Sequence, residues 1–262
     1  MTGIALVTGG ARGIGRAIVD RLLRDGWTVA LTHVPGVEPP EPLLADFAGL
    51  PATLHPLDLR LPASIRACLA EVAARHGGID ALVNNAAVGT ATVAAFTESE
   101  DQRDGVMLAI NAAGTLAMCR GFLAAQGTTG RARRIVNLSS VGGGIATFPG
   151  FSLADGMSKS AVAHLTRQLA AELVHDPVDV FAICPGATDT EMFRQSTLNQ
   201  MSPADRDRFI AGLPKSRLIQ PDEIATLAAF LVSPASTVLH GAVIDASMGL
   251  GVRPGLISET RH

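Results

Sequence analysis

Short apolar runs recur along the chain at 4–7, 28–31, 81–83, 134–138, 178–183 and 242–244. Longer stretches of mixed polar and apolar residues separate them, at 15–25, 62–76, 104–125, 158–175 and 221–232. Buried runs alternating with amphipathic stretches predict strands alternating with helices, hence a parallel sheet covered on both faces. The expected fold class is α/β, a three-layer doubly wound parallel sheet, as a single domain over 1–262. No internal repeat or linker interrupts the pattern. The Pro-rich segment 35–42 follows the second run and is expected to be a surface loop. The segment 191–215 is polar and dotted with Met and Phe. It is either a mobile lid, within about 191–217, or a surface helix pair, and its place after a strand end favours the lid. Gly142, Gly143 and Gly144 follow the run at 134–138, at the kind of strand end where a doubly wound sheet places its ligands.

One turn carries chemistry. Thr8-Gly9-Gly10-Ala11-Arg12-Gly13-Ile14-Gly15 follows the first apolar run and opens the first amphipathic stretch. Strand, glycine-rich turn and helix start, in that order, form a Rossmann-type cradle. The glycines let backbone approach a pyrophosphate, and the N–H groups of the next helix point at it.

Composition narrows the function. The chain has 262 residues, 47% of them hydrophobic, and a formal net charge of -3. That suits one domain with a sizeable core. No basic stripe is present, so nucleic acid is not expected as a partner. No apolar run approaches the roughly 20 residues needed to span a bilayer, and no secretory leader is recognised, so membrane association is not expected. Cys68, Cys119 and Cys184 have neither disulfide nor metal spacing with the seven His, and they fit reduced core thiols of a cytoplasmic protein. No metal site is expected. The chain contains no Tyr.

Together these segments resemble the classical short-chain dehydrogenase/reductase (SDR) family over essentially the whole chain. The family's TGxxxGxG matches Thr8 to Gly15, and its acid after the third strand matches Asp58-Leu59. Its Asn-Asn-Ala-Gly becomes Asn84-Asn85-Ala86-Ala87. Its helix Asn, its Ser and its Lys match Asn111, Ser140 and Lys159, and its Pro-Gly-x-x-x-Thr matches Pro185-Gly186-Ala187-Thr188-Asp189-Thr190. The resemblance implies that Thr8, Gly9, Gly13, Ile14 and Gly15 approach the cofactor phosphates. It implies that Asp58 and Leu59 meet the adenine, and that Asn84 and Ala86 shape the pocket. Lys159 would hold the nicotinamide ribose. Pro185, Gly186, Thr188 and Thr190 would meet the nicotinamide or the phosphates. Ala87 is unstrained only if its φ is negative.

The adenosine end favours NADP(H) over NAD(H). NAD enzymes commonly place a carboxylate at the end of the second strand, on the ribose 2′-hydroxyl. Here Leu31-Thr32-His33-Val34 holds no acid, and none follows until Glu38. Arg12 is placed for a 2′-phosphate, with Thr32 and His33 able to add hydrogen bonds.

The family's catalytic Tyr lies four residues before the Lys, on the same helix face. Here that position is Asp155. The resemblance also makes the Ser140-to-Asp155 gap about two residues longer than usual. An unperturbed Asp has a pKa of about 3.9 against about 10 for Tyr, a deficit of roughly 4 kcal/mol as an acid at pH 7. Three readings stand, with Asn111, Ser140, Asp155 and Lys159 as candidate catalytic residues. First, the chain is a reductase with altered proton delivery. It would act on an imine or iminium, or on a carbonyl, with Asp155 as anionic stabiliser or buried acid, or with a relay through Asn111 and Lys159. Second, it binds NADP(H) without redox chemistry, as a sensor, scaffold or partner subunit. Third, it catalyses a non-redox step with Asp155 as base. The four retained residues favour the first. A homo-oligomer, dimer or tetramer, is expected from the resemblance. Phe148, Phe151, Met192, Phe193, Leu198 and Met201 are either pocket lining or core.

Overall fold

The computed structural model describes residues 3–128, 130 and 132–253. Seven parallel strands form one sheet in the order β3-β2-β1-β4-β5-β6-β7. They are β1 (Ile4–Val7), β2 (Thr28–His33), β3 (Ala52–Pro56), β4 (Ala81–Asn84), β5 (Arg133–Leu138), β6 (Val178–Pro185) and β7 (Val243–Ala246). The helices are α1 (Gly13–Arg24), α2 (Pro40–Asp46), α3 (Pro62–His76), α4 (Glu100–Leu108), α5 (Thr115–Ala124), a kinked turn α6 (Val141–Gly144), α7 (Leu153–Glu172), α8 (Glu191–Ser196), α9 (Pro203–Gly212) and α10 (Pro221–Leu231). The expected doubly wound sheet is the observed one. Its strand order reverses between β1 and β4, and ligands of such sheets bind outside the strand ends at that switch point.

The inner strands are apolar on both faces because both faces are covered. Ala5, Leu6 and Val7 are fully buried, as are Ala81, Leu82 and Val83. One core lies under α3, α4, α5 and α7, around Leu6, Leu82, Met118, Phe122 and Ile135. The other lies under α1 and α10, around Val7, Ile18, Leu31, Phe181 and Leu231. Burying a Leu, Phe or Met side chain stabilises by about 1.5–3 kcal/mol, so these two layers fix the strand ends on which the site is built.

Three elements depart from the pattern-based expectation. β3 was not among the apolar runs. It is an edge strand pairing only with β2, so its Ala-Thr-Leu-His-Pro needs burial on little of its surface, and only His55 is fully buried. The Pro-rich segment is a loop only in its first part, because α2 starts at Pro40 with Pro in its first turn, where the missing N–H costs nothing. Residues 100–124 run as one continuous 25-residue helical stretch, and an 18-residue window of it has mean hydropathy 1.5, long and apolar enough by length and composition to cross a membrane. The expectation that no such stretch exists therefore fails. Here its apolar side chains Met107, Met118 and Phe122 are buried in the first core.

The middle of that stretch, Ala109–Gly114, is π-helical. Such single-turn expansions of an α-helix often mark functional sites. This one carries Asn111 at the strand-end side of the sheet.

Candidate functional site

Segments after all seven strands open into one cavity of about 1290 Å³. A pocket for one small molecule measures about 300–1,000 Å³, so this volume accommodates two ligands side by side.

The glycine turn forms one wall. Gly9 and Gly13 have φ of 64° and 55°, which L side chains rarely adopt. A Cβ on Gly15 would overlap Gly9 O and Asn85 Nδ2, so only glycine lets α1 start this close to the turn. α1 has no side-chain cap and no acid in its first turn. Gly13 and Ile14 at its start line the cavity, so unpaired N–H groups and the positive end of the helix face that space. This is the geometry of an anion site, and it fits a dinucleotide pyrophosphate.

Thr8 fixes this wall from behind. Its buried Oγ1 accepts hydrogen bonds from Asn85 N–H and Ala86 N–H, both at 3.0 Å. Asn85 Nδ2 returns donors to Thr8 O and Gly9 O at 3.0 Å. The β1 and β4 loops are thus laced together. Ala87 does not have a positive φ, so replacing glycine there introduces no backbone strain.

At the far end of the cavity lie Arg12, Thr32, Val34, Glu38 and Asp58. Thr32 Oγ1 accepts from Gly9 N–H at 3.1 Å. Glu38 corrects the expectation of an acid-free end. A tight turn brings it back: Glu38 N–H donates to Val34 O at 2.9 Å, and Val34 N–H donates to Glu38 Oε2 at 3.0 Å. Its carboxylate lies 3.5 Å from Arg12 Nε, its side chain only 16% exposed. Arg12 Nη1 also lies 3.9 Å from Glu191 Oε2 at the start of α8. Arg60 grips the Asp58 carboxylate at 2.6 Å and 3.0 Å and holds its pKa below the ordinary range.

At the other end Ser140, Asp155 and Lys159 line the cavity together. β5 ends at Leu138 and delivers Ser139 and Ser140. α7 delivers Asp155 and Lys159 from one face, four residues apart. Ser152 caps α7, its Oγ accepting from Asp155 N–H at 3.3 Å. Ser140 Oγ accepts from Gly142 N–H at 3.2 Å. Lys159 is anchored at both ends: its carbonyl accepts from Ser139 Oγ at 2.8 Å and its Nζ donates to Leu138 O at 3.3 Å. Burial pushes the Asp155 carboxyl up, and the Lys159 ammonium pulls it part of the way back. Burial pushes Lys159 down, against Asp155 and Cys184. Asp155 Oδ1 is buried and has no hydrogen-bond partner among the described residues. A lone desolvated carboxylate oxygen is costly while charged, which is why the neutral form gains.

Five expected site residues do not line the cavity. Asn111 is fully committed: its Oδ1 accepts from Val88 N–H at 2.9 Å, and its Nδ2 donates to Val88 O at 2.9 Å and Ser158 Oγ at 3.1 Å. It ties the β4 loop to α7 and is not placed to relay a proton with its side chain. Asn84 is buried on Asn137 Oδ1 at 2.9 Å. His33 alternates to the opposite face from Thr32, and its Nδ1–H donates to Glu38 O at 3.1 Å. Thr8 and Gly15 act through the wall they support. Gly9, Arg12, Gly13, Ile14, Thr32, Asp58, Leu59, Ala86, Pro185, Gly186, Thr188 and Thr190 all reach the cavity. Of the six apolar candidates, Leu198 packs instead with Leu213 and Leu218, whereas the other five line the space. Asn85, Glu38 and Glu191 were missed. The doubled Asn at 84–85 gave a signal for the first, but nothing local in the sequence places the two acids.

Comparison with known proteins agrees with this geometry. A family model described as enoyl-(acyl carrier protein) reductase matches residues 9–251. The oxidoreductase UcpA of Escherichia coli K12 is 34% identical over 256 residues, covering 94% of each chain. A single-residue variant of the actinorhodin polyketide ketoreductase with NADPH superposes with a TM-score of 0.82 at 30% identity, covering 95% of this chain and 97% of that one. The 3-oxoacyl-[acyl-carrier protein] reductase from Brucella melitensis in complex with NAD superposes with a TM-score of 0.81 at 28% identity, covering 95% and 97%.

Proposed function

Because the chain belongs to the short-chain dehydrogenase/reductase family, and so is an oxidoreductase that works with a nicotinamide cofactor, we propose that it is an NADP(H)-dependent reductase of C=N bonds with Asp155 as proton donor. One observation carries this reading. The Asp155 carboxyl shares a cavity wall with Ser140 and Lys159, and its buried Oδ1 lacks a partner among the described residues. The reduced nicotinamide, when bound, supplies hydride. The remaining work falls to this chain. Ser140 Oγ, which accepts from Gly142 N–H at 3.2 Å, is free to accept also from the N–H formed on the substrate nitrogen. Asp155, whose burial favours its neutral form over that of a free carboxyl, gives its proton to that nitrogen. The resulting carboxylate then faces an iminium cation, and the pair is stronger than in water because the site is desolvated. The proton ends on the amine product, and Asp155 is reprotonated from solvent. Lys159 holds the ribose hydroxyls and keeps Asp155 within reach of ionisation. A ketone gains no ion pair from this carboxylate and is the poorer substrate.

For the cofactor, Arg12 takes the 2′-phosphate, and Glu38 has to release it. The fixed, mostly buried position of Glu38 favours a second reading, in which Glu38 accepts from the ribose 2′-hydroxyl of NAD(H). Residues 191–217 act as the lid. The exposed Leu153 and Met157 on α7 fit a homo-oligomer in the cytoplasm.

The test mixes the protein and NADPH with a panel of cyclic imines and ketones while nicotinamide absorbance is followed. Imines turning over faster than ketones is the expected result. Tight NADPH binding with no turnover of any C=N or C=O compound overturns the proposal in favour of a binding protein. Consumption of a substrate without loss of NADPH overturns it in favour of a non-redox enzyme.

A further inference from the structure

We propose that Phe151, seated against Gly142 and Gly156 in the cavity that Asp155 lines, is the specificity-determining wall of this site and selects a substrate with a cationic nitrogen. The inference rests on the reading above that Asp155 faces the reacting group, and it adds the substrate class and the residue that selects it.

The seat is built into the backbone. A Cβ on Gly142 would stand 3.0 Å from Phe151 Cε1 and Cζ and 3.2 Å from Cε2. A Cβ on Gly156 would stand 3.5 Å from Cδ1. The ring therefore packs on two residues that have no side chains, one in α6 and one in the first turn of α7. Gly156 is the next residue after Asp155, and Ser152, next to Phe151, caps the turn that holds Asp155. Phe151 thus directly precedes the cap of the helix whose first turn carries Asp155.

Three of the other four aromatic rings of the cavity are engaged, and the fourth, Phe148, is half-buried beside Phe151, its carbonyl accepting from Phe151 N–H at 3.1 Å. Phe96 lies under the Arg60 guanidinium, 5.0 Å from its centroid. Phe193 and Phe209 stack on one another at 6.3 Å. Phe151 keeps 38% of its surface exposed while lining the cavity, so it has surface available to a ligand.

Charge points the same way. The lining carries five carboxyl groups, Asp58 among them held by Arg60 from outside the lining, against three cations. Arg208 is bonded to Asp205 at 2.8 Å, and Arg12 is paired with Glu38 and Glu191. Among the described lining residues, no unpaired guanidinium remains to receive a substrate carboxylate or phosphate. An aromatic face beside a carboxylate instead attracts a cation, and the aromatic part is worth about 2- to 30-fold in affinity. A cyclic iminium and its ammonium product both qualify.

The test measures binding to the NADP+-saturated protein near neutral pH with two probes of the same ring size: piperidine, which is protonated there, and tetrahydropyran, which is neutral. Piperidinium is expected to bind at least about tenfold more tightly. Phe151→Leu is expected to weaken piperidinium by about 3- to 30-fold while changing tetrahydropyran by less than about twofold. Gly142→Ala, which keeps the phenyl in the chain but crowds it from its seat with a Cβ 3.0 Å from two ring carbons, is expected to act in the same direction. Equal binding of the two probes, equal weakening of both by Phe151→Leu, or no effect of either variant overturns the proposal. Imine turnover in the NADPH assay would survive such a result, so failure of this inference is separable from failure of the reductase reading.

Discussion

Replacing Asp155 by Asn keeps the shape of the side chain and removes its titration, so it separates chemistry from architecture. At its ordinary pKa of 3.8 the carboxyl would be protonated in roughly one molecule in 1,500 at pH 7, a deficit of about 4 kcal/mol. Burial lifts the pKa in this site, and every unit gained recovers tenfold, about 1.4 kcal/mol. Loss of a general acid costs about 10²- to 10⁴-fold. Asp155→Asn is therefore expected to lower kcat on a neutral cyclic imine by about that factor. An N-methyl cyclic iminium needs no proton, so it should lose only the ion-pair part, about tenfold. Stability moves the other way. The folded pKa is raised, so the contribution of Asp155 is most favourable below its unfolded pKa and is lost as pH rises through the folded pKa. Once ionised, Oδ1, which lacks a hydrogen-bond partner among the described residues, penalises the fold by about 1–3 kcal/mol. Removing that charge should raise Tm by about 2–4 °C per kcal/mol, and the gain should shrink as pH is lowered. NADPH oxidation with both substrates and thermal melts at several pH values check this. Undiminished turnover of the neutral imine, or a Tm gain that ignores pH, refutes the reasoning.

Three further outcomes are expected. Glu38→Gln removes the carboxylate beside Arg12, so the ratio of NAD+ to NADP+ dissociation constants should rise by about tenfold or more, measured by calorimetry; an unchanged ratio would show that Glu38 does not touch cofactor choice. Gly15→Ala forces a Cβ against Gly9 O and Asn85 Nδ2, so cofactor affinity should fall by at least about tenfold while the circular dichroism spectrum is retained. Burial lowers the pKa of His55 and His76. Their contribution is complete above their unfolded pKa of about 6.5 and lost as pH falls through the lower folded values. Urea midpoints should drop between about pH 7.5 and pH 5, and less so in His55→Gln.

The sheet was legible because its central strands are apolar throughout, and continuous runs such as 81–83 and 178–183 stand out. β3 was hidden because an edge strand buries so little. The glycine turn was legible for a related reason: close backbone approach tolerates few residue types, so Gly9, Gly13 and Gly15 announce themselves. Lys159 and Asp155 could be placed because the four-residue spacing of a helix is fixed. Residues whose place depends on a loop closing were not legible. Glu38 reaches the cavity only through the turn at 34–38, and Glu191 only through the direction in which α8 leaves β6. Asn111 shows the converse. Its position was correct, but its hydrogen bonds are spent on Val88 and Ser158, and only three-dimensional packing reveals that.

The central claim is that a desolvated carboxyl at position 155 is the proton source. A ¹³C NMR titration of aspartate-labelled protein, with the Asp155 resonance assigned by its absence in Asp155→Asn, measures that group directly in the NADP+ complex. The account predicts a midpoint clearly above the ordinary 3.8, moving further up when Lys159 is replaced by Met. A midpoint at or below the ordinary value, or one insensitive to Lys159, would contradict it.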